Sequence, residues 1–320
     1  MFAAMARVDL IIPTYNGTDF LISCLRSLNS STFDDVQIVV VDDGSSVPVL
    51  ETIRETTPHA VVIRNERNLG LTRSFNIAID RTSSEYVVLL NNDTEVDPEW
   101  LQALVDVADR NPDAGSVASK LLLYSDRTRI HSAGDTYSVR GMPGNRGVWL
   151  EDFGQYDSEQ PVFSACAGAA LYRRTALEAV RLPNGDIFDT RLFMYCEDVD
   201  LGWRLQLSGY PCIFAPGAVV YHHLSATGGG TLASYYVSRN IWLVLARSVP
   251  KELTNQYRLR IIAYQAGRLF REIANMRQIA SRHSVLGTLA GIRMFVTSRS
   301  RIANFDETQL RRIQNLLIDG

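Results

Sequence analysis

The first third of the chain constrains the fold most, because it repeats one pattern. Short runs rich in β-branched residues at 8–13 (VDLIIP), 36–41 (VQIVVV), 60–63 and 86–90 (YVVLL) alternate with helical spacing or helix-type boundaries at 19–28, 49–56 and 71–80. Apolar strands separated by helices fold as a parallel sheet covered on both faces. Ligands of such sheets sit at the carboxyl ends of the strands. The polar punctuation falls there, in Thr14-Tyr15-Asn16-Gly17, Asp42-Asp43-Gly44-Ser45 and Asn91-Asn92-Asp93.

Further along, Pro98 at a first-turn position opens a helix over 99–110, which Asn111-Pro112 ends. Residues 134–160 are rich in Gly, Asp and aromatic side chains with little periodicity, and read either as a mobile loop near a site or as a surface excursion. A short helix is expected over 197–208, closed by Gly209, and helical pattern runs from Ser234 to the C-terminus. The fold class is therefore α/β, a doubly wound and mostly parallel sheet with a C-terminal helical extension.

The net charge of −3 conceals an asymmetry, since residues 240–320 hold 13 Lys+Arg against 5 Asp+Glu. A basic tail on an acidic body serves an anionic membrane face or a pyrophosphate-bearing acceptor, or is plain solvated helix surface. It pairs with a second subunit equally well, so peripheral membrane contact and a homo-oligomer through the C-terminal helices both stay open. The four cysteines, Cys24, Cys166, Cys196 and Cys212, form no CxxC pair, which argues against a zinc or redox motif and for reduced thiols. Residues 1–7 do not make a signal peptide, and no uncharged apolar run reaches the roughly 18 residues a spanning helix needs. The expected location is the cytoplasm, including the inner face of the cell membrane. Neither GxGxxG nor GxxxxGK[ST] occurs, so a dinucleotide fold and a P-loop are unsupported, and no nucleic-acid partner is expected.

Four clusters carry chemistry. A carboxylate at Asn91-Asn92-Asp93, on the loop after a buried strand, holds Mn²⁺ or Mg²⁺ against a diphosphate, or else caps a turn. Glu197, Asp198 and Asp200 crowd the start of a helix, where capping explains one acid but not three. Adjacent carboxylates raise one another's pKa, which suits Asp198 to general-base work. One imidazole of His222-His223 completes the metal shell begun by Asp93, or is structural. Asp42-Asp43 offers acceptors to a base or ribose, or is an ordinary acidic turn, and Asn68-Leu69-Gly70 with Arg73 is placed to face phosphate above a helix start.

Together these segments resemble family 2 glycosyltransferases from Val8 to about Arg247. The likeness rests on IIPTYNG (11–17), VVVDDGSS (39–46), NLGLTRSFN (68–76), LLNNDTEV (89–96), CAGAALYRR (166–174), IFDTRLFMYCEDVDLGWR (187–204), APGAVVYHH (215–223) and YYVSRN (235–240). It implies a GT-A fold, with a nucleotide-sugar-binding and catalytic domain over 1–235. That domain divides into a nucleotide-binding half, 1–100, and an acceptor half, 101–235, and a basic helical region follows at 236–320.

The resemblance also implies roles. Pro13, Thr14, Tyr15 and Asn16 line the nucleobase pocket, with Asp42 reading the base and Asp43 as the alternative reader. Asn68 belongs to the nucleotide site, and Arg73 helps with base or diphosphate. Asn92 and Asp93 match the last two positions of the D-x-D-like metal motif, Asp93 being the main ligand, with His222 as additional ligand and His223 its competitor. Asp198 matches the base, supported by Glu197. Gly168 and Ala169 approach the donor sugar, Trp203 and Arg204 shape the acceptor side, and Arg239 reaches the diphosphate.

The motif opens with Asn91 where the family has Asp, which removes one charge, and the Q-x-x-R-W of processive synthases is absent. The implied reaction is an inverting, Mn²⁺- or Mg²⁺-dependent single transfer from a dTDP or UDP sugar to a saccharide or lipid-linked acceptor in cell-surface polysaccharide synthesis. YYxxRN with FDxxxFxYxEDVDL resembles bacterial rhamnosyltransferases most, favouring dTDP-rhamnose. UDP-galactofuranose or another UDP-hexose is the alternative donor, and a non-catalytic nucleotide-sugar-binding module is the reading from another class.

Overall fold

A computed structural model describes residues 6–224, 230–298 and 305–319. Its strands are β1 (Val8–Thr14), β2 (Val36–Asp42), β3 (Val61–Arg64), β4 (Tyr86–Leu90), β5 (Thr94–Val96), β6 (Ser116–Leu123), β7 (Ile130–Ser132), β8 (Asp135–Ser138), β9 (Pro143–Asn145), β10 (Gln160–Val162), β11 (Ala169–Arg173), β12 (Cys212–His222) and β13 (Leu317–Ile318). Its helices are α1 (Thr18–Leu28), α2 (Leu50–Thr56), α3 (Leu71–Ile79), α4 (Trp100–Arg110), α5 (Arg174–Ala179), α6 (Glu197–Leu207), α7 (Thr231–Arg247), α8 (Lys251–Gln256), α9 (Arg258–Ala274), α10 (Ile279–Thr297) and α11 (Glu307–Leu316).

The main sheet runs β10-β12-β6-β11-β4-β1-β2-β3, with β5 on β12 and β7 on β6. β1 pairs in parallel with β2 and β4, and β2 with β3, as the alternating sequence requires. β11 enters antiparallel between β4 and β6. This reversal matters for the site, because it brings the start of β11 to the carboxyl end of β4, opposing Ala169 to Leu90.

The period of two sorts each strand between two cores. Val8, Leu10 and Ile12 of β1 face one core with Leu21 and Leu25 of α1 and Leu104 of α4, while Ile11 faces the other with Phe75 of α3 and Leu177 of α5. A third core joins the C-terminal helices to α6, with Trp203, Phe163 and Tyr137 packed against Ile241, Val244 and Leu245 of α7 and Ile313 of α11. Fully burying one such side chain stabilises by about 1.5–3 kcal/mol.

α10 lies close on α7. A Cβ on Gly287 would sit 2.2 Å from the Tyr235 carbonyl oxygen, so only glycine allows this backbone approach. The anticipated boundary between 235 and 236 falls inside α7, which is continuous across it. Two expectations are corrected. The stretch 134–160 lies beside the cavity at the carboxyl ends of β1 and β4 but is not one loop, because β8 pairs with β9 on one side and β13 on the other in a small second sheet and β10 joins the main one. The chain beyond Ser234 is not helical to its end, since Leu317 and Ile318 pair in parallel with Tyr137 and Ser138. Among the described residues, no helix is long and apolar enough to cross a membrane.

Candidate active site

A cavity of about 550 Å³ opens at the carboxyl ends of β1 and β4. Its walls come from Pro13–Tyr15, Asn91–Asp93, Gly168, the turn before α6, the end of β12, and Leu232, Ala233 and Val237 of α7. Asn92 Nδ2 donates to Thr14 Oγ1 at 3.0 Å, and the Asn91 N–H donates to the Gly168 carbonyl at 2.9 Å. These bonds tie the ends of β1, β4 and β11 together beneath the cavity.

On one side, His222 Nε2 lies 3.1 Å from Asp93 Oδ1, and His222 Nδ1 lies 3.1 Å from His131 Nδ1. Burial alone would raise the Asp93 carboxyl, but the hydrogen bond and charge of His222 outweigh it and hold it below the usual range. Burial, with the neighbouring His222, pushes His131 down to about 3, so it is a neutral imidazole at physiological pH. A carboxylate oxygen and an imidazole nitrogen facing one cavity are donors that would suit Mn²⁺ or Mg²⁺. Were Nε2 to hold a cation, the His222 proton would sit on Nδ1 and His131 Nδ1 would accept it, the outer support that a metal-ligating imidazole needs.

On the other side, Asp198 Oδ1 accepts from the Val199 N–H at 2.8 Å and Oδ2 from the Ala167 N–H at 3.3 Å. Glu197 is buried, and its Oε2 has no hydrogen-bond partner among the described residues. Burial and then the charge of Asp198 push Glu197 up to about 8. Burial also raises Asp198, with the amides of Val199 and Ala167 pulling the other way. The two acids thus differ, Glu197 retaining a proton near neutrality while Asp198 has backbone donors aimed at it.

Asp135 of β8 joins them. Its Oδ2 accepts from Ser164 Oγ at 2.9 Å, and one donor atom each of Asp135, Cys166 and Asp198 lie within 4.8 Å of one another. Burial and the charge of Asp198 raise Asp135 well above the usual range, and burial with the nearby acids raises the Cys166 thiol. Asp93 and His222 face these residues across the same cavity as a second set of candidate ligands.

The backbone that delivers the acids is strained. Phe193, Tyr195 and Cys196 have φ of 66°, 66° and 64°, each at a cost of about 1–3 kcal/mol. α7 holds them there. Asn240 Nδ2 donates to the carbonyls of Leu192, Met194 and Tyr195 at 3.0, 2.8 and 2.8 Å, Arg239 donates to those of Arg191 and Leu192, and Tyr236 stacks on Phe193. Gly70 completes the clamp, because a Cβ there would lie 2.4 Å from the Phe193 ring.

Of the residues expected from the sequence, Pro13, Thr14, Tyr15, Asp43, Asn68, Asn92, Asp93, Gly168, Glu197, Asp198 and His222 line this one cavity. Seven others lie outside its lining. Asp42 is buried against Arg64 and accepts from the Ser45 N–H, so its acceptors are taken. Asp43 is the one of the pair that faces the cavity, though it also accepts from the N–H groups of Leu69 and Gly70. Asn16 caps the neighbouring turn, accepting from the Ser46 N–H. Arg73 is half-exposed beside Asp186. Ala169 is buried in β11. Trp203 is fully buried between Phe163 and Tyr137, and Arg204 donates to the carbonyls of Val180 and Ile187 and pairs with Asp200. Arg239 is spent on the strained loop. Asp200, bound to Arg204 and Ser248, is likewise structural. His223 stacks on Tyr124 with ring centroids 3.6 Å apart and meets Asp93 only through the backbone, its N–H donating to the Asp93 carbonyl, which leaves the Asp93 carboxylate to His222.

His131, Asp135 and Cys166 went unread in the sequence. The first two lie in or beside the unperiodic stretch, and the sequence carries no spacing signal for them.

A family model described as glycosyl transferase family 2 matches residues 9–181. An N-acetylglucosaminyl-diphospho-decaprenol L-rhamnosyltransferase of Mycobacterium tuberculosis is 28% identical over 258 residues, covering 73% of this chain and 81% of the relative. An O-antigen biosynthesis protein of Myxococcus xanthus is 29% identical over 69% of this chain, which spans only 18% of that relative. A Sinorhizobium fredii protein, also 29% identical over 69% of this chain, is likewise much longer, and the chain spans 25% of it. In structure the chain is similar to Staphylococcus aureus TarS 1-349, with a TM-score of 0.57 and 17% identity over 97% of this chain and 83% of that one. It is similar also to a mannosyltransferase of Pyrobaculum calidifontis solved with GDP-Man and Mn²⁺, with a TM-score of 0.57 and 16% identity over 97% and 79%.

Proposed function

The chain belongs to glycosyl transferase family 2, and from that premise we propose that it is an inverting, metal-dependent enzyme transferring rhamnose from dTDP-rhamnose to a saccharide or lipid-linked acceptor in cell-surface polysaccharide synthesis. One observation carries this reading. A donor-supported carboxylate, Asp198, and a carboxylate–imidazole pair 3.1 Å apart, Asp93 and His222, line the same cavity at the ends of β1 and β4.

Each end has its task. Asp198 accepts the proton of the acceptor hydroxyl as that oxygen attacks the anomeric carbon, and the bond from that carbon to the diphosphate breaks on the opposite face. One displacement inverts the configuration and needs no covalent intermediate. Asp93 and His222 would hold Mn²⁺ or Mg²⁺, which would supply positive charge for the leaving diphosphate. Tyr15, Asp43 and Asn68 receive the nucleotide, and the turn at Gly168 brings backbone close to the donor sugar. Glu197, protonated near neutrality, keeps a second negative charge away from the acceptor oxygen. Asp135 sets its carboxyl beside Asp198 from the acceptor wall.

The donor assignment is supported by the YYVSRN and EDVDL segments and by the decaprenol-linked rhamnosyltransferase among the relatives. It is tested by calorimetric titration with dTDP, UDP and GDP, with Mn²⁺ and again with EDTA, followed by turnover of dTDP-rhamnose and UDP-galactofuranose. Metal-dependent binding of dTDP with turnover of dTDP-rhamnose is expected. Preference for UDP and UDP-galactofuranose would replace the donor, and no binding of any nucleotide would replace the enzyme by a binding module.

A further inference from the structure

The polarity of α9 is inverted. Its buried positions are Ile261 and Gln265, and Arg268 reaches inward to Ser238 Oγ. The large apolar side chains point the other way, with Leu259, Ile262, Phe270 and Ile273 at 73%, 63%, 74% and 49% exposure. At helical spacing these four fall on one side, and the exposed Ala263 and Ala266 fill the gaps between them. The stripe continues past the end of the helix through Met276 and Ile279, at 43% and 62%. Among the described residues, nothing covers it.

Charge identifies what does. Exposed Arg258, Arg271, Arg277 and Arg282 flank the stripe, and Glu272 is the one acid of α9. A second copy docked by two-fold symmetry would bring the same patch to itself and set arginine against arginine. An anionic surface with an apolar layer beneath it satisfies both features, as it does for helices that lie in the plane of a membrane interface. No described helix spans a bilayer, so the contact is one of lying on the surface. We propose that α9, with the turn into α10, is a docking surface for an anionic lipid bilayer, burying Leu259, Ile262, Phe270 and Ile273 among the acyl chains. The helices beneath it lead to the cavity, since α10 rests on α7 through Gly287 and Gly291, and α7 lines the cavity with Leu232, Ala233 and Val237.

The proposal does not rest on the donor or the acceptor, and its test uses neither. The full chain is sedimented with vesicles of phosphatidylcholine containing about one-third phosphatidylglycerol, and with phosphatidylcholine alone. Binding to the anionic vesicles, weakened by salt, is expected. Replacing Leu259, Ile262, Phe270 and Ile273 together by Ser, or Arg258, Arg271 and Arg277 together by Gln, is expected to lower that binding about tenfold or more. These side chains are exposed, so the thermal melt and the nucleotide titration of the variants should match wild type, which separates lost docking from lost folding. Wild type left in the supernatant with both vesicles overturns the proposal, as does unchanged binding by the serine variant. Dimerisation in sedimentation velocity that the serine variant abolishes, without vesicle binding, assigns the face to a second copy and overturns it too.

Discussion

His222 Nε2 and Asp93 Oδ1 lie 3.1 Å apart across 129 residues of chain. The contact joins the end of β12 to the turn after β4, a juxtaposition made by β5, which pairs Thr94 with His222. His222→Ala is expected to weaken Mn²⁺-dependent nucleotide binding about tenfold or more, and His131→Ala by a smaller factor through the orientation of the ring. Calorimetry with and without EDTA measures both. Equal nucleotide affinity of wild type with Mn²⁺ and with EDTA would remove the metal from the mechanism.

Asp198→Asn preserves the shape of the side chain and removes its basicity. Transfer is expected to fall roughly a hundredfold to ten-thousandfold while nucleotide affinity stays close to wild type. Single-turnover rates beside the titration separate the two, and an unchanged rate would mean that another group takes the proton.

Glu197 gives the molecule a pH signature. Its folded-state pKa is pushed from 4.5 to about 8, so between those values the folded state holds a proton that the unfolded state has released. Its contribution to stability is present below about pH 4.5 and is lost as pH rises through about 8. Glu197→Gln, which resembles the protonated acid, should flatten the fall in urea midpoint between about pH 5 and about pH 8 and keep most of the turnover. Parallel pH profiles for the two proteins would show that Glu197 is ionised throughout.

Asn240 is the residue on which the strained loop depends. Asn240→Ala removes a donor from the carbonyls of Met194 and Tyr195 and leaves that of Leu192 to Arg239, and should cost about 1–3 kcal/mol of stability, with kcat falling more than nucleotide affinity because the displaced loop leads into Asp198. A thermal melt read beside kinetics tests this. Loss of stability without loss of kcat would confine the side chain to packing.

Arg73→Ala is expected to leave nucleotide affinity within about twofold, since the guanidinium is half-exposed and faces Asp186. A large loss in titration would place Arg73 in the nucleotide site in spite of that geometry.

The parallel half of the fold was legible because its strands are buried on both faces and its helices carry plain stop signals. β1 to β4 begin and end within one or two residues of their expected positions. The reversal of β11 was not legible, because an apolar strand of five residues reads the same in either direction. At the site, strand-end polar residues were legible as a class, but not which of two neighbours faces the cavity. Alternation turns Asp43 toward the ligand and Asp42 toward Arg64, and the chain must be folded before that phase is fixed. Trp203, Arg204 and Arg239 sit in motifs of the site and support it from behind, a distinction that depends on which way α6 and α7 are rolled. Asp135 and His131 come from a region without periodicity, where short strands are held by tertiary pairing.

That pairing places a condition on synthesis. The small sheet that carries Asp135 to the cavity is closed by Leu317 and Ile318, against Tyr137 and Ser138. A chain leaving the ribosome can assemble β1 to β4, and with them the turn at Asp93, long before it possesses β13. The cavity wall at Asp135 is therefore completed only after residue 318 has emerged, well after the polar turns at the ends of β1 and β4 have been made.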